Sequence, residues 1–153
     1  MKQLKIILLG IIMIWSVFML AGCFNGFGPG TQDYEYNVGT GYKLYRISGH
    51  NIVVAPDGNW SEKPVIEAKV TEIAWDERYV LAKQLGLKRV YPDNPNNTYE
   101  VPAESKVQYF ILDTVDLKIY GGYNLDEFTE ERKALGISDE LKLEDVSSYP
   151  KDK

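Results

Sequence analysis

Residues 66–85 read Ile-Glu-Ala-Lys-Val-Thr-Glu-Ile-Ala-Trp-Asp-Glu-Arg-Tyr-Val-Leu-Ala-Lys-Gln-Leu. Over residues 66–70 apolar and polar side chains alternate, which is the period of a strand with one buried face. The alternation then changes phase, so a β-bulge near Glu72 is expected to return the following apolar residues to the core side. Asp76-Glu77 predicts a tight connection into a second strand, residues 79–85. This stretch therefore predicts two consecutive strands joined by a short turn.

The same signals continue on both sides of this stretch. Apolar or alternating runs are separated by turns that contain Gly, Asn, Asp and Pro, which predicts a series of short strands. The predicted strands are residues 34–38, 42–47, 52–55, 66–75, 79–85, 107–112 and 117–120.

One helix is predicted after the last strand. Asn124 is a favourable N-cap, Glu127 three residues later fits a capping box, and Gly136 suits the C′ position. The expected apolar face consists of Leu125, Phe128, Arg132 and Leu135. The sequence thus predicts an α+β, mainly β fold, an antiparallel meander sheet of about six or seven strands with a C-terminal helix packed on one face.

Residues 86–105 are predicted to form a long loop, because they contain three prolines and three asparagines and show no clear alternation. Loops of this length are typically functional or mobile. Tyrosine is common at binding surfaces, since its ring is rigid and apolar and carries a polar tip. The possible binding residues of this loop are Lys88, Arg89, Tyr91 and Tyr99.

Composition limits the classes of function. The chain has 153 residues, 17 basic and 22 acidic side chains and a formal net charge of −5, which argues against a nucleic-acid partner. The length suits one domain. With one histidine and one cysteine the chain cannot form a zinc site without carboxylates, and residues 57–68 lack the Gly and Glu of an EF-hand loop. No metal and no cofactor are predicted.

No catalytic residue is assigned. The sequence contains no G-x-S-x-G motif, and the single histidine, His50, lies in a predicted turn, where a structural or solvent-facing role is expected. Glycoside hydrolysis uses two carboxylates at a set separation, and two pairs of acids are close in sequence. These pairs are Asp113 with Asp116 and Glu130 with Glu131. Solvated surface acids are the simpler interpretation of both.

The N-terminal segment has the pattern of a secretory signal. Lysines at positions 2 and 5 precede an uncharged apolar run, residues 6–20. As a helix this run spans about 22 Å, less than the ~30 Å hydrocarbon core of a bilayer. It ends in Leu20-Ala21-Gly22-Cys23, which looks like the lipobox of a bacterial lipoprotein. Leu20, Ala21 and Gly22 are predicted to present Cys23 for lipid attachment. An uncleaved signal anchor and a buried thiol are the alternatives.

Three parts are expected along the chain: a signal peptide at 1–22, the lipidated cysteine and a flexible tether at 23–32, and a single globular β-rich domain at 33–149. Cleavage before Cys23 would leave 131 residues with a formal charge of −7. Such a surface would not dock electrostatically on anionic lipid, so the acyl chains must supply the membrane affinity. The predicted location is the extracytoplasmic face of the cell membrane.

Several segments resemble a family of small lipoproteins from Bacillus-type Gram-positive bacteria that is known as a domain of unknown function. The resemblance covers roughly residues 33–149 and the lipobox. It is carried by Ala68–Glu77 with Tyr79 and Ala82-Lys83-Gln84, by Ser105–Val107 and Ile111–Asp113, and by Asp126–Phe128. It implies an exported domain with a diacylated cysteine, and it implies no active site.

These observations predict a lipid-anchored extracytoplasmic protein that acts as a non-catalytic binding module at the cell envelope. Membrane lipid, through acylated Cys23, is one expected partner, and an envelope protein or a glycan is the other. Two alternatives stay open: a cell-envelope hydrolase that uses paired carboxylates, and an immunity or inhibitor lipoprotein whose acidic surface suits a basic target.

Overall fold

The computed structural model describes residues 33–59 and 63–149 of the chain. Two antiparallel sheets and one helix make up most of this part. The elements in chain order are β1 (Tyr34–Asn37), β2 (Tyr42–Arg46), β3 (Ile52–Pro56), β4 (Val70–Trp75), β5 (Tyr79–Arg89), β6 (Glu100–Asp113), β7 (Lys118–Tyr123), α1 (Leu125–Ala134), β8 (Glu144–Asp145) and a 3-10 turn (Val146–Ser148).

The strands are divided between a three-stranded sheet in the order β1-β2-β3 and a five-stranded sheet in the order β7-β6-β5-β4-β8. The predicted α+β, mainly β class with a C-terminal helix is therefore confirmed. A register shift between Val70 and Glu72 confirms the predicted bulge. The regular strand starts only at Val70, because Ile66 instead forms an isolated bridge with Val54 of β3. This bridge joins β3, an edge strand of the three-stranded sheet, to the segment that precedes β4.

The two sheets bury a common apolar core. Each fully buried Val, Leu or Ile contributes about 1.5–3 kcal/mol relative to an exposed one, so this cluster is the main source of stability. Its buried members are Val38, Leu44, Ile52, Val54, Ile66, Val70, Ile73, Val80, Ala82, Leu112 and Val146.

The helix α1 covers the other face of the five-stranded sheet. Its N-cap Asn124 accepts hydrogen bonds from the backbone N–H groups of residues 126 and 127, and the Glu127 carboxylate accepts from Asn124 N at 2.9 Å, as the capping box predicted. Phe128 is buried and stacks on Tyr109 with 5.0 Å between ring centroids. Leu125 is 57% exposed, so the predicted apolar face is wrong at its first position.

The prediction of a loop over residues 86–105 is wrong at both ends. Strands β5 and β6 extend through half of this segment, and the connection between them is residues 90–99. Their register shifts between Leu85 and Leu87, and Pro102 pairs with Leu87 next to that irregularity. A β-bulge accommodates a proline that a regular central strand would exclude. We call β5, β6 and this connection the long hairpin.

Candidate functional site

Three turns meet at one end of the two sheets, which we call the turn end. They are β1–β2 (residues 38–41), β4–β5 (76–78) and β6–β7 (114–117). Thr114 donates to the Arg78 carbonyl oxygen through both its backbone N and its Oγ1, each at 2.8 Å. The long hairpin projects from the opposite end, because β5 starts at the turn end and runs away from it.

A charged network joins two of these turns. Arg78 donates to Asp113 Oδ2 from Nε at 2.9 Å and from Nη2 at 2.6 Å, and Nη2 also lies 2.7 Å from Asp116 Oδ2. Asp113 is only 1% exposed. Its other oxygen accepts the backbone N–H groups of Val115 and Asp116, each at 3.0 Å. The Arg78 guanidinium, together with these N–H groups, lowers the pKa of Asp113 below its ordinary value.

A second carboxylate shapes the β4–β5 turn from within. Asp76 Oδ1 accepts the backbone N–H of Arg78 at 2.8 Å and that of Tyr79 at 2.6 Å. A side chain that accepts from the backbone two and three residues later is the typical arrangement of an Asx turn. The turn therefore holds its shape by itself and is fixed to the β6–β7 turn through Asp113.

The turns enclose an open groove of about 830 Å³. Trp75 is half-buried in its wall, while Asp76 and Glu77 are exposed at its rim. Asp116 Oδ2 lies 2.7 Å from Arg78 Nη2. The groove is lined by Asn37, Gly39, Thr40, Trp75, Asp76, Glu77, Arg78 and Val115. An aromatic wall beside two carboxylates is suited to a ligand that combines apolar and cationic groups.

The two predicted acid pairs have different surroundings in the structure. Asp113 and Asp116 are brought together, but they share one guanidinium. A glycosidase acid needs a raised pKa to hold its proton, and the pKa of Asp113 is lowered instead. Glu130 is exposed on α1, and neighbouring helix positions such as Glu130 and Glu131 do not face each other. Neither pair has the geometry of an acid and a base across a substrate.

The four predicted binding-loop residues lie on the long hairpin. Lys88 and Arg89 end β5 and are exposed, and Tyr91 and Tyr99 are 54% and 56% exposed in or beside the connection. Arg89 pairs with Glu100 across the strands, and Lys88 pairs with Val101. The four residues are thus on one exposed element, far along the sheet from the groove.

Other predicted residues have simpler outcomes. His50 is exposed in the β2–β3 turn, as expected. Cys23 and the preceding Leu20, Ala21 and Gly22 lie outside the described residues, as do the signal peptide at 1–22 and the tether. Within residues 33–59 and 63–149, no helix is long and apolar enough to cross a bilayer. The same residues contain no cluster of three or more His, Cys, Asp or Glu side chains suited to a metal ion.

The groove is the feature that the sequence did not predict. Residues 76–77 were recognised only as a tight connection, and Asn37 at the end of β1 and Thr40 in the following turn lie 35 or more residues earlier. The local signal for the groove is a run of three consecutive charged residues that directly follows a tryptophan, in the turn between two strands. The ligand-sized space arises only when the three turns meet, which is a tertiary property.

A family model described as a protein of unknown function, DUF3997, matches residues 39–147. No curated protein and no solved structure matches the chain. The matched range contains residues 39–41 of the β1–β2 turn, strands β2 to β8 and α1, and hence every lining residue of the groove except Asn37. The predicted resemblance to a domain of unknown function is confirmed.

Proposed function

The chain belongs to the DUF3997 family, and from this premise we propose that it is a lipid-anchored, extracytoplasmic, non-catalytic binding module. Cys23 carries the acyl chains, and the groove at the turn end receives the partner. The observation that carries the binding role is the groove itself, whose rim is held rigid by the buried Asp113 and its bonds to Arg78. Rigid loops lose little conformational entropy when they bind.

The chemistry of the rim defines the partner class. Asp76 and Glu77 are acidic and exposed, whereas the one basic group in the lining, Arg78, is already paired with Asp113 and Asp116. Trp75 and Val115 add apolar surface. We therefore expect an envelope protein that inserts a lysine or arginine next to an apolar side chain. A basic target is also what the immunity or inhibitor alternative requires.

The hydrolase alternative gains nothing from the site. Its nearest acid pair, Asp113 and Asp116, is engaged by Arg78, and the lowered pKa of Asp113 keeps that carboxyl ionised at neutral pH. An ionised carboxylate cannot donate a proton to a leaving group.

The anchor is tested with Cys23→Ala in the native host. We expect the variant to lose incorporation of a palmitate analogue and to keep its signal peptide, because processing is blocked. Equal labelling of the variant and the natural chain would contradict lipid attachment at Cys23.

The groove is tested by chemical cross-linking of the full chain in intact envelopes. Glu77→Lys reverses one rim charge and is expected to abolish the cross-linked product, while Glu130→Lys makes the same change on the exposed face of α1 and should leave it intact. Rising salt should weaken the product, since exposed charges are screened beyond about 8 Å at physiological ionic strength. A product that survives Glu77→Lys but not Glu130→Lys would assign binding to the helix instead.

A further inference from the structure

The direction of β1 and the length of β5 show from which end of the domain the long hairpin projects. Strand β1 has 4 residues and runs from Tyr34 to the turn end, whereas β5 has 11 residues and runs from Tyr79 away from it. At ~3.3 Å per residue these lengths are about 13 Å and about 36 Å. Measured along the strands from the turn end, the long hairpin therefore extends roughly 20 Å farther than β1.

The segment between the proposed anchor and the domain is short on this scale. Ten residues, 23–32, separate the acyl chains from Asp33. At ~3.3 Å per residue they span at most about 33 Å. Because β1 runs toward the turn end, its first residue, Tyr34, lies at the end of the strand away from the turn end, and the tip of the long hairpin also points away from the turn end. A tether of this length therefore lets the tip approach the membrane that holds the acyl chains.

The side chains at the tip have the chemistry of a bilayer interface. Val90 is 39% exposed, and Tyr91 and Tyr99 are more than half exposed. Tyrosine favours the headgroup level of a membrane, because its ring prefers apolar surroundings and its hydroxyl prefers water. Lys88 and Arg89 stand behind them on the strand, where long basic side chains reach headgroup phosphates.

Electrostatic attraction is not the main contribution to the contact between the tip and the membrane. Glu100 lies opposite Arg89 in the ladder, and Asp93 is in the connection, so the tip has little net charge. The acidic domain as a whole is repelled by anionic lipid. Contact must therefore depend on the tyrosines and Val90, with the acyl anchor supplying proximity.

The connection presents these side chains through its own hydrogen bonds. Val90 N donates to the Tyr99 carbonyl at 3.0 Å, and Asn94 N donates to the Tyr91 carbonyl at 3.2 Å. The Asn97 side chain accepts Tyr99 N at 2.9 Å. These hydrogen bonds within the connection fix its shape, so the tip can meet a surface without refolding.

We propose that the tip of the long hairpin, Val90, Tyr91 and Tyr99, rests in the headgroup layer of the membrane that holds the acylated chain. This inference depends on the proposed anchoring at Cys23. The domain then stands on two points, the anchor and the hairpin, and the groove at the turn end faces away from the bilayer. A partner in the envelope can reach the groove in this orientation.

The test uses the full acylated chain in vesicles of phosphatidylethanolamine and phosphatidylglycerol that contain a headgroup-linked quencher. Acylated Cys23 has no reactive thiol, so a single introduced cysteine accepts a fluorescent label. Thr98→Cys places the label at the tip, and Val115→Cys places it at the turn end. We expect quenching at position 98 and no quenching at position 115.

Two further variants link the signal to the tyrosines. In the Thr98→Cys chain, Tyr91→Ser with Tyr99→Ser should abolish quenching, whereas Leu117→Ser, an exposed apolar residue at the turn end, should preserve it. Salt should have little effect.

The possible outcomes separate the two proposals. Chains that do not sediment with vesicles would contradict the anchor. Chains that sediment but show no quenching at position 98, or equal quenching at both positions, would overturn the hairpin inference alone. Energy transfer between labels on different chains, with the tip unquenched, would assign the tip to pairing between copies and would overturn it too.

Discussion

The loops at the turn end are held by a buried charge, whereas the connection of the long hairpin is held by hydrogen bonds among its own residues. At the turn end, Asp113 is buried and receives four hydrogen bonds, two from Arg78 and two from backbone N–H groups. In the connection, the bonds join residues at most nine positions apart, and nearly every side chain is exposed. One end depends on contacts between distant segments, and the other does not.

This difference predicts where substitutions affect folding and where they affect binding alone. A buried polar group that loses its partners leaves costly unsatisfied atoms. An exposed side chain on a locally satisfied loop can be changed with little effect on stability. Substitutions at the turn end should therefore change the free energy of unfolding. Substitutions at the hairpin tip should change only its contact with a surface.

The largest effect is expected for Asp113→Ala. The change removes the acceptor of two backbone N–H groups and the buried partner of Arg78, which should lower the free energy of unfolding by about 3 kcal/mol. Urea unfolding followed by tryptophan fluorescence measures it. Asp116→Ala is the control: its side chain is 65% exposed, and a loss below about 0.5 kcal/mol is expected. Equal losses in the two variants would contradict the central role of Asp113.

A smaller loss is expected for Gly39→Ala. Gly39 has a φ of +66°, and a Cβ there would lie 2.9 Å from Thr114 Cγ2. The left-handed backbone and this contact should together lower the free energy of unfolding by about 2 kcal/mol. Gly41→Ala has a similar φ of +76° but no atom within 4 Å of its Cβ, so it should lose only about 1 kcal/mol. An equal decrease in the free energy of unfolding of both variants would contradict the expectation that the close contact between the turns adds to the loss in Gly39→Ala.

Lowering the pH should reduce the free energy of unfolding by part of the loss expected for Asp113→Ala. The pKa of Asp113 is lowered in the folded state, mainly by Arg78, so its contribution is full above the unfolded pKa of about 3.9 and is lost as the pH falls through the lower folded value. Asp113→Asn should flatten this acid limb. It should not abolish it, because hydrogen bonds from Ser147 also lower the pKa of Asp145. A steeper loss of stability at acid pH in the variant would contradict the lowered pKa of Asp113.

Local features could be predicted from the sequence because neighbouring residues determine them. The capping box at Asn124 and Glu127 and the bulge near Glu72 depend on a few adjacent positions, and both are confirmed. The division into two sheets could not be predicted. The five-stranded sheet includes the pairing of β8 with β4, and the bridge between Ile66 and Val54 joins β3 to the segment before β4; both contacts arise only in the tertiary structure.

The site was predictable only in fragments for the same reason. Asp113 and Asp116 were recognised as a pair, but Arg78, which binds both, lies 35 positions earlier and nothing in the pattern connects them. In the long hairpin, prolines and missing alternation suggested a loop over 86–105. The irregular register between Leu85 and Leu87 accommodates Pro102, and pairing continues to Arg89, whereas the other two prolines lie in the connection.

The smallest effect on stability is expected for Tyr91→Ser combined with Tyr99→Ser. Both side chains are more than half exposed, and the hydrogen bonds at these positions use backbone atoms that serine retains. The free energy of unfolding should change by less than about 0.5 kcal/mol, measured by urea unfolding of the unacylated chain. Tyr45→Ser is the contrasting control, because Tyr45 is 6% exposed and its hydroxyl accepts Gly58 N at 2.9 Å; its loss should be about 3 kcal/mol. A comparable loss in the hairpin variant would mean that the two tyrosines stabilise the fold, and the contrast between the two ends would then fail.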